Sequence, residues 1–357
     1  MREPSSLFFF MKINKIKKSR LETVDFNNLP FGSIFSDHML ICEFKNGKWN
    51  EPEIKPYGPI KLSPGTQALH YGQSIFEGMK AFKSKKDNVL LFRPDKNFER
   101  INNSAKRLSI PQIPKDVFID GLKALVRIDS DWVSKREGYS LYIRPFVFGS
   151  SECIKANSSN DFTFVIITSP TMNYYSDPID ILIEQKFTRA MKGGVGFTKA
   201  SGNYAASFYP TSLAEEKGYT QLLWTDGIKH ENIEESGTMN IWFRIKDKLV
   251  TPKLTDSILP GVTRNSILTL ASEMNLKVEE RTISITEIIN SFKNKTLLEA
   301  FGSGTAVVLS KIRSISYNEE KYYLPNQEGS YCDKIKTKLV SIQRGDIEDT
   351  NNWTVSV

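Results

Sequence analysis

Lys192-Gly-Gly-Val-Gly-Phe-Thr-Lys-Ala-Ser-Gly-Asn-Tyr-Ala-Ala-Ser207 is the stretch on which the reading of this chain turns, because Lys199 is the one charged residue between Lys192 and Glu215. A free lysine amine keeps its proton up to about pH 10.4. Among glycines, small apolar side chains and backbone the ammonium form is disfavoured, and the amine becomes a nucleophile that can condense with an aldehyde. The plain alternative is a lysine snorkelling out of a glycine-rich loop.

A lysine of the first kind needs a carbonyl cofactor such as pyridoxal phosphate, which also needs a phosphate cradle and an acid facing its pyridine nitrogen. Leu259-Pro-Gly-Val-Thr-Arg-Asn-Ser266 opens a helix with Pro and Gly, leaving the amides of Val262 and Thr263 and the helix dipole to hold an anion. Phe301-Gly-Ser-Gly-Thr-Ala306 reads as a second small-residue turn, able to close the cradle or to hold a substrate carboxylate through the Thr305 hydroxyl and the Ala306 amide. Either glycine loop alone reads equally well as a plain turn. Glu234-Glu235-Ser-Gly-Thr-Met-Asn240 sets two carboxylates before a Gly-Thr turn and an apolar strand, so one approaches the interior while Glu234 reads as solvated.

Outside these segments the chain is ordinary in composition: 357 residues, 39% hydrophobic and 25% charged, with 21 Gly and 16 Pro, which excludes disordered and fibrous classes. One core stops growing at about 250–300 residues, so two domains are expected. Residues 36–170 alternate strand-like runs (39–44, 89–92, 141–148, 162–168) with helical ones (96–108, 115–128), a compact α/β unit. Residues 169–178 mix Pro, Ser, Asn and Asp and read as the linker. The expected division is a basic, flexible arm over 1–29, a small domain over 30–168, the linker, and a large cofactor-binding domain over 179–357. In the last, 181–187, 220–225, 240–245 and 248–250 read as strands, and 205–217, 263–274, 285–292 and 333–343 as helices.

Residues 12–20 carry five basic side chains and no acid, which leaves the rest of the chain at only +2 of its +7. A neutral body with a basic end argues against nucleic-acid binding, where Lys and Arg spread over a face. The run is too poor in Arg and Ser for a transit sequence, and the apolar residues 7–11 are too short for an export signal or an anchor. Met11 reads as an alternative start. Cys42, Cys153, Cys332 and His38, His70, His230 are scattered, with neither disulfide framework nor metal-ligand spacing, so no metal and a reducing, cytoplasmic compartment are expected.

With its motifs placed, the chain resembles the branched-chain amino acid aminotransferases. Gly193-Gly-Val-Gly-Phe-Thr-Lys-Ala-Ser-Gly-Asn-Tyr204, Glu235-Ser-Gly-Thr-Met-Asn240, Leu259-Pro-Gly-Val-Thr-Arg264 and Phe301-Gly-Ser-Gly-Thr-Ala306 carry the likeness in order and spacing. The first half agrees through Leu69-His-Tyr-Gly-Gln-Ser-Ile-Phe-Glu-Gly-Met-Lys-Ala-Phe82, Leu91-Phe-Arg-Pro94 and Leu141-Tyr-Ile-Arg-Pro145, so roughly 30–355 is covered. The resemblance implies the α/β (α+β) pyridoxal-phosphate fold type IV, two domains with the active site at their interface, in homodimers.

By the same resemblance Lys199 is the Schiff-base lysine and catalytic base, Glu235 the acid at the ring nitrogen, Tyr204 the phenol near the ring oxygen and Arg100 the phosphate-binding arginine. Leu259, Val262, Thr263 and Thr305 complete the cofactor set. Phe76, Tyr142 and Ala306 resemble the apolar substrate pocket, with Thr238 and Thr305 beside it, and Arg144 resembles the arginine that reads glutamate's distal carboxylate. Tyr71 lies on the loop that in the family reaches towards the neighbouring subunit's site.

The implied activity is reversible ping-pong transamination of L-leucine, L-isoleucine and L-valine with 2-oxoglutarate, dependent on pyridoxal 5'-phosphate, with small-molecule partners and neither nucleic acid nor membrane. A D-amino acid aminotransferase or aminodeoxychorismate lyase of the same fold is the alternative, and a non-catalytic nucleic-acid-binding protein a remote one. Where mammalian members carry a Cys-x-x-Cys redox pair this chain reads Val307-Val-Leu-Ser310, so that switch is expected to be absent.

Overall fold

The computed structural model describes residues 11–172, 177–325 and 329–357. They fall into two compact units: the first closes at Met172 and takes in Val355–Val357, and the second runs on to Thr354. Of the expected linker, residues 169–171 still belong to a strand, and 173–176 lie outside the described residues.

The first unit is built on a sheet with ten strands among the described residues. At its centre Ser140–Gly149 and Phe162–Thr171 pair antiparallel over their whole length, from Ser140 opposite Thr171 to Gly149 opposite Phe162. Both are buried almost throughout and rich in β-branched and aromatic residues, as strands covered on both faces must be. His38–Lys45 extends the sheet on one side and Met79–Lys83 on the other. The helix Pro94–Arg107 starts with Pro in its first turn. The helix expected at 115–128 begins as a wider turn, Asp116–Asp120, before Gly121–Ile128.

The arm expected to be flexible is tied down from residue 12 onward. Lys12–Ile13 adds a parallel strand to Glu53–Pro56. Ser19 Oγ and the Arg20 amide donate to the buried Asp37 carboxylate at 2.5 and 2.9 Å, and the Ile16 amide donates to His38 Nε2 at 3.0 Å. Local composition misled here because the acceptors are distant in sequence. Residues 1–10, with most of the apolar 7–11 run, lie outside the described residues.

The second unit has a sheet with nine strands among the described residues, centred on Ile179–Ile183, which runs parallel to both Gln221–Thr225 and Val308–Tyr317. A central parallel strand is covered on both faces, and Ile179, Ile181 and Ile183 are all nearly inaccessible. The strand expected over 181–187 stops at Ile183 because Glu184 Oε1 accepts the amides of Gln185, Lys186 and Phe187 and turns the chain away. Ser201–Glu216, Val262–Glu273, Ile285–Lys293 and Tyr331–Gln343 are helical. The last two are capped by Ser284 and Ser330, whose hydroxyls accept the amides of Glu287 and Asp333. Among the described residues no helix is long and apolar enough to cross a membrane.

One motif has a different shape from that expected. Phe301–Gly304 is not a turn but the end of the strand Leu297–Gly304; the turn is 305–307, leading into Val308–Tyr317. Pairing with Met239–Ile245 on one side and Val308–Tyr317 on the other outweighs the turn preference of Gly-Ser-Gly.

Candidate active site

Three pieces of the second unit converge on one cleft. Lys199 ends the glycine-rich loop, immediately before Ala200 caps the helix Ser201–Glu216. One turn into that helix, Tyr204 points back, and Lys199 Nζ donates to its hydroxyl at 2.6 Å. Asn203 stiffens the loop by donating its Nδ2 to the carbonyls of Val195 and Thr198 at 2.9 and 3.1 Å. Tyr204 and Asn203 line the cleft together with Arg189, Ser207, Glu235, Gly237, Thr238 and Leu259.

Glu235 enters from the hairpin formed by Ile233–Ser236 and Met239–Ile245, which turns through Gly237 and Thr238. It is 4% exposed. Its Oε1 accepts from Asn240 Nδ2 at 3.0 Å and from the Leu259 amide at 3.1 Å, and its Oε2 lies 2.8 Å from Arg189 Nε. Burial pushes the Glu235 carboxyl up to about 7, against the downward pull of Arg189, the Leu259 amide and Lys199. Glu234, expected to be solvated, is half-buried instead: one oxygen accepts from Ser257 Oγ, the other is buried without a hydrogen-bond partner, and burial raises its pKa.

Leu259 leads through Pro260 and Gly261 into the helix Val262–Glu273. That helix has no side-chain cap, and Val262 and Thr263 occupy its first turn. Thr305 and Ala306 sit in the turn after Gly304, where a Cβ added to Gly304 would lie 3.8 Å from the Thr238 carbonyl oxygen. Lys199, Tyr204, Glu235, Thr238, Leu259, Val262, Thr263, Thr305 and Ala306 thus all belong to the second unit.

Phe76, Tyr142, Arg144, Arg100 and Tyr71 belong to the first. Arg144 stacks over the Phe76 ring, 4.5 Å from its centroid, and its Nη2 donates to the Tyr142 hydroxyl at 3.1 Å. Arg144 Nε is buried without a hydrogen-bond partner among the described residues. Arg100 is buried and grips Glu77 through Nε and Nη2, at 2.7 and 2.8 Å. Tyr71 is 47% exposed, and its hydroxyl donates to the Ile154 carbonyl.

The chemistry of this donor set fits pyridoxal 5'-phosphate. An amine rests on a phenol, a buried carboxylate lines the same cleft with both its hydrogen bonds on one oxygen, and an uncapped helix start offers amides to a phosphate. Sequence reasoning missed Arg189, which lies ten positions before Lys199 with no local signal of its own. It also missed the clamp by Asn240, a buried polar residue on an apolar strand, and the Glu77 partner of Arg100.

Comparison with known proteins agrees. The model of the amino-transferase class IV family matches residues 74–315. Branched-chain-amino-acid aminotransferase 2 of Bacillus subtilis (strain 168) is 45% identical over 338 residues, 93% of each chain. The crystal structure of branched-chain amino acid aminotransferase from Escherichia coli superposes with a TM-score of 0.72 at 26% identity, covering 89% of this chain and 98% of that one. The enzyme from Thermobaculum terrenum, crystallised in its PLP-form, shares the fold with a TM-score of 0.71 at 20% identity, over 90% of this chain and 98% of that one. The chain belongs to the class IV aminotransferases and has their mixed α/β fold.

Proposed function

We propose that this chain catalyses the reversible transfer of the amino group of L-leucine, L-isoleucine or L-valine to 2-oxoglutarate, with Lys199 as the reacting amine. It is a branched-chain-amino-acid aminotransferase that uses pyridoxal 5'-phosphate, the activity named in relatives 40–45% identical over most of its length. The observation that carries the site assignment is the 2.6 Å contact of Lys199 Nζ with Tyr204 in the cleft that also holds the buried Glu235.

When bound, pyridoxal 5'-phosphate supplies a carbonyl for amines and a pyridine ring that takes up the electron pair left at the substrate α-carbon. Lys199 Nζ would anchor it and, as a free amine, would carry the proton taken from the substrate α-carbon. Tyr204 fixes where that nitrogen rests. Glu235 would hold positive charge at the ring nitrogen, and Leu259, Val262, Thr263 and Thr305 would serve the phosphate end; Arg100 of the first unit, whose side chain Glu77 keeps in one rotamer, is the phosphate arginine by the family resemblance alone. By the family resemblance, Phe76 and Tyr142 of the first unit and Thr238 and Ala306 of the second are the candidate contacts of the substrate side chain, and Arg144, with its unpartnered Nε, is the candidate for the distal carboxylate of glutamate and 2-oxoglutarate.

We read the enzyme as a cytoplasmic homodimer. Support comes from the free state of Cys42, Cys153 and Cys332 and from Tyr71, a half-exposed tyrosine that ends the short helix Gln67–Tyr71 where a loop serving a neighbouring subunit was expected.

Lys199→Ala is the decisive variant. It should lose both the visible absorbance of the bound cofactor and turnover of L-leucine, since anchor and base are one group. Transamination of L-leucine near the wild-type rate by Lys199→Ala would refute the assignment. Wild-type protein that leaves L-leucine unchanged but consumes D-alanine or aminodeoxychorismate would move it to another activity of the class.

A further inference from the structure

We propose that Arg189 is a positioning residue that keeps the Glu235 carboxylate ionised and aimed into the cleft, so that the ring nitrogen it meets is held protonated. The inference rests on the cofactor reading above and deepens it.

The geometry separates what holds Arg189 from what Arg189 holds. Its Nη2 donates to two backbone carbonyls, Gly196 at 3.1 Å and Ser257, which ties the guanidinium between the loop before Lys199 and the loop before Leu259. Its position therefore does not depend on Glu235. Its Nε lies 2.8 Å from Glu235 Oε2, with the two side chains 8% and 5% exposed, as an ion pair whose N–H is not aligned as a hydrogen bond. The hydrogen bonds that Glu235 accepts, from Asn240 and Leu259, are both on Oε1. Oε1 is thus the fixed oxygen, and Oε2 carries charge that a cation steadies from one side without saturating its lone pairs.

The surrounding charges make Arg189 the deciding one. Burial raises the Glu235 pKa, Glu234 raises it further, and Arg189, the Leu259 amide and Lys199 oppose them, Arg189 most strongly. Lys199 changes its protonation and bonding during turnover, whereas a guanidinium does not. Without Arg189, an acid already raised to about 7 would be mostly protonated at neutral pH. One proton is shared between the acid and the ring nitrogen, and a cation 2.8 Å from Oε2 favours the carboxylate with the proton on nitrogen.

The test uses Arg189→Met, Arg189→Gln and Arg189→Lys in two states of the protein. In the holoenzyme loaded with cofactor labelled with nitrogen-15 in the ring, the nitrogen chemical shift distinguishes pyridinium from pyridine. Wild type and Arg189→Lys should report pyridinium, and the two neutral variants should move towards pyridine. In the cofactor-free protein, the Glu235 carboxyl carbon, identified by its loss in Glu235→Gln, should titrate about one pH unit or more higher in either neutral variant. An unchanged nitrogen shift, or an unchanged titration midpoint in whichever neutral variant folds, overturns the proposal. A purely structural role for Arg189 would alter folding or affinity and leave both signals in place. Wild-type protein that takes up no cofactor would instead sink the cofactor reading, and the cofactor-free titration would still decide the role of Arg189.

Discussion

Ionising Glu235 costs the folded protein something that the unfolded chain does not pay. An ordinary glutamate releases its proton near 4.5, whereas burial raises this one to about 7. Between those values the folded state binds more protons than the unfolded state, so this carboxyl's contribution to stability falls as pH rises from 4.5 to 7 and stays low above. Glu235→Gln has no such charge to bury. In cofactor-free protein the melting temperature of Glu235→Gln relative to wild type should therefore climb between about pH 5 and about pH 8. Adding cofactor should shrink the gap, because a cation at the ring nitrogen offsets the buried charge. A difference flat across that range, measured by scanning calorimetry, would mean that Glu235 does not ionise in a desolvated site.

The hairpin that delivers Glu235 depends on a two-residue turn, and its first residue, Gly237, has φ +56. A Cβ there would also lie 1.9 Å from Gln221 Oε1. Gly237→Ala should cost about 1–2 kcal/mol for the left-handed backbone alone, plus the displacement of Gln221. Adding Gln221→Ala should recover only the displacement part. Urea unfolding of the single and double variants separates the two, and full recovery in the double variant would show that the backbone is unstrained. Such turns also explain what could be read in advance. Lys199 and Tyr204 lie within one helical turn of each other, and Glu235 lies beside its own Gly-Thr turn, so local sequence carried them. The strand Leu297–Gly304 was hidden because Gly302-Ser-Gly304 has turn composition; within the sheet Gly302 packs closely, where Met239 Sδ would lie 2.6 Å from an added Cβ. Arg189, Asn240 and the burial of Glu234 depend on contacts between separate loops, which no local window contains.

Across the whole chain the charge balance looks lopsided, with five bases in residues 12–20, and three of them meet an acid of the same unit. Lys12 pairs with Glu53 at 3.1 Å, Lys18 with Glu22 at 3.9 Å and Arg20 with Asp37 at 3.5 Å. Only the last partner is buried, so Asp37 fastens the segment, while the exposed pairs add little. Asp37 also accepts from Trp132 Nε1 at 2.9 Å. Burial pushes the Asp37 carboxyl up, but the hydrogen bonds from Ser19, Arg20 and Trp132 prevail and hold it below its ordinary 3.8. Its stabilisation is accordingly present above pH 3.8 and lost as pH falls below. Asp37→Ala leaves the Trp132 indole N–H buried without its acceptor and unfastens Ser19 and Arg20, so it should lower stability by about 2–3 kcal/mol. Trypsin should then cut within 12–20 faster than in wild type, while Lys18→Ala should leave stability within about 0.5 kcal/mol of the parent. Equal urea midpoints for Asp37→Ala and wild type, with equal cleavage rates, would show that the segment is held by something other than this carboxylate. A selective loss in Asp37→Ala makes the basic segment a structural strap on the first unit, fastened through Ser19 and Arg20.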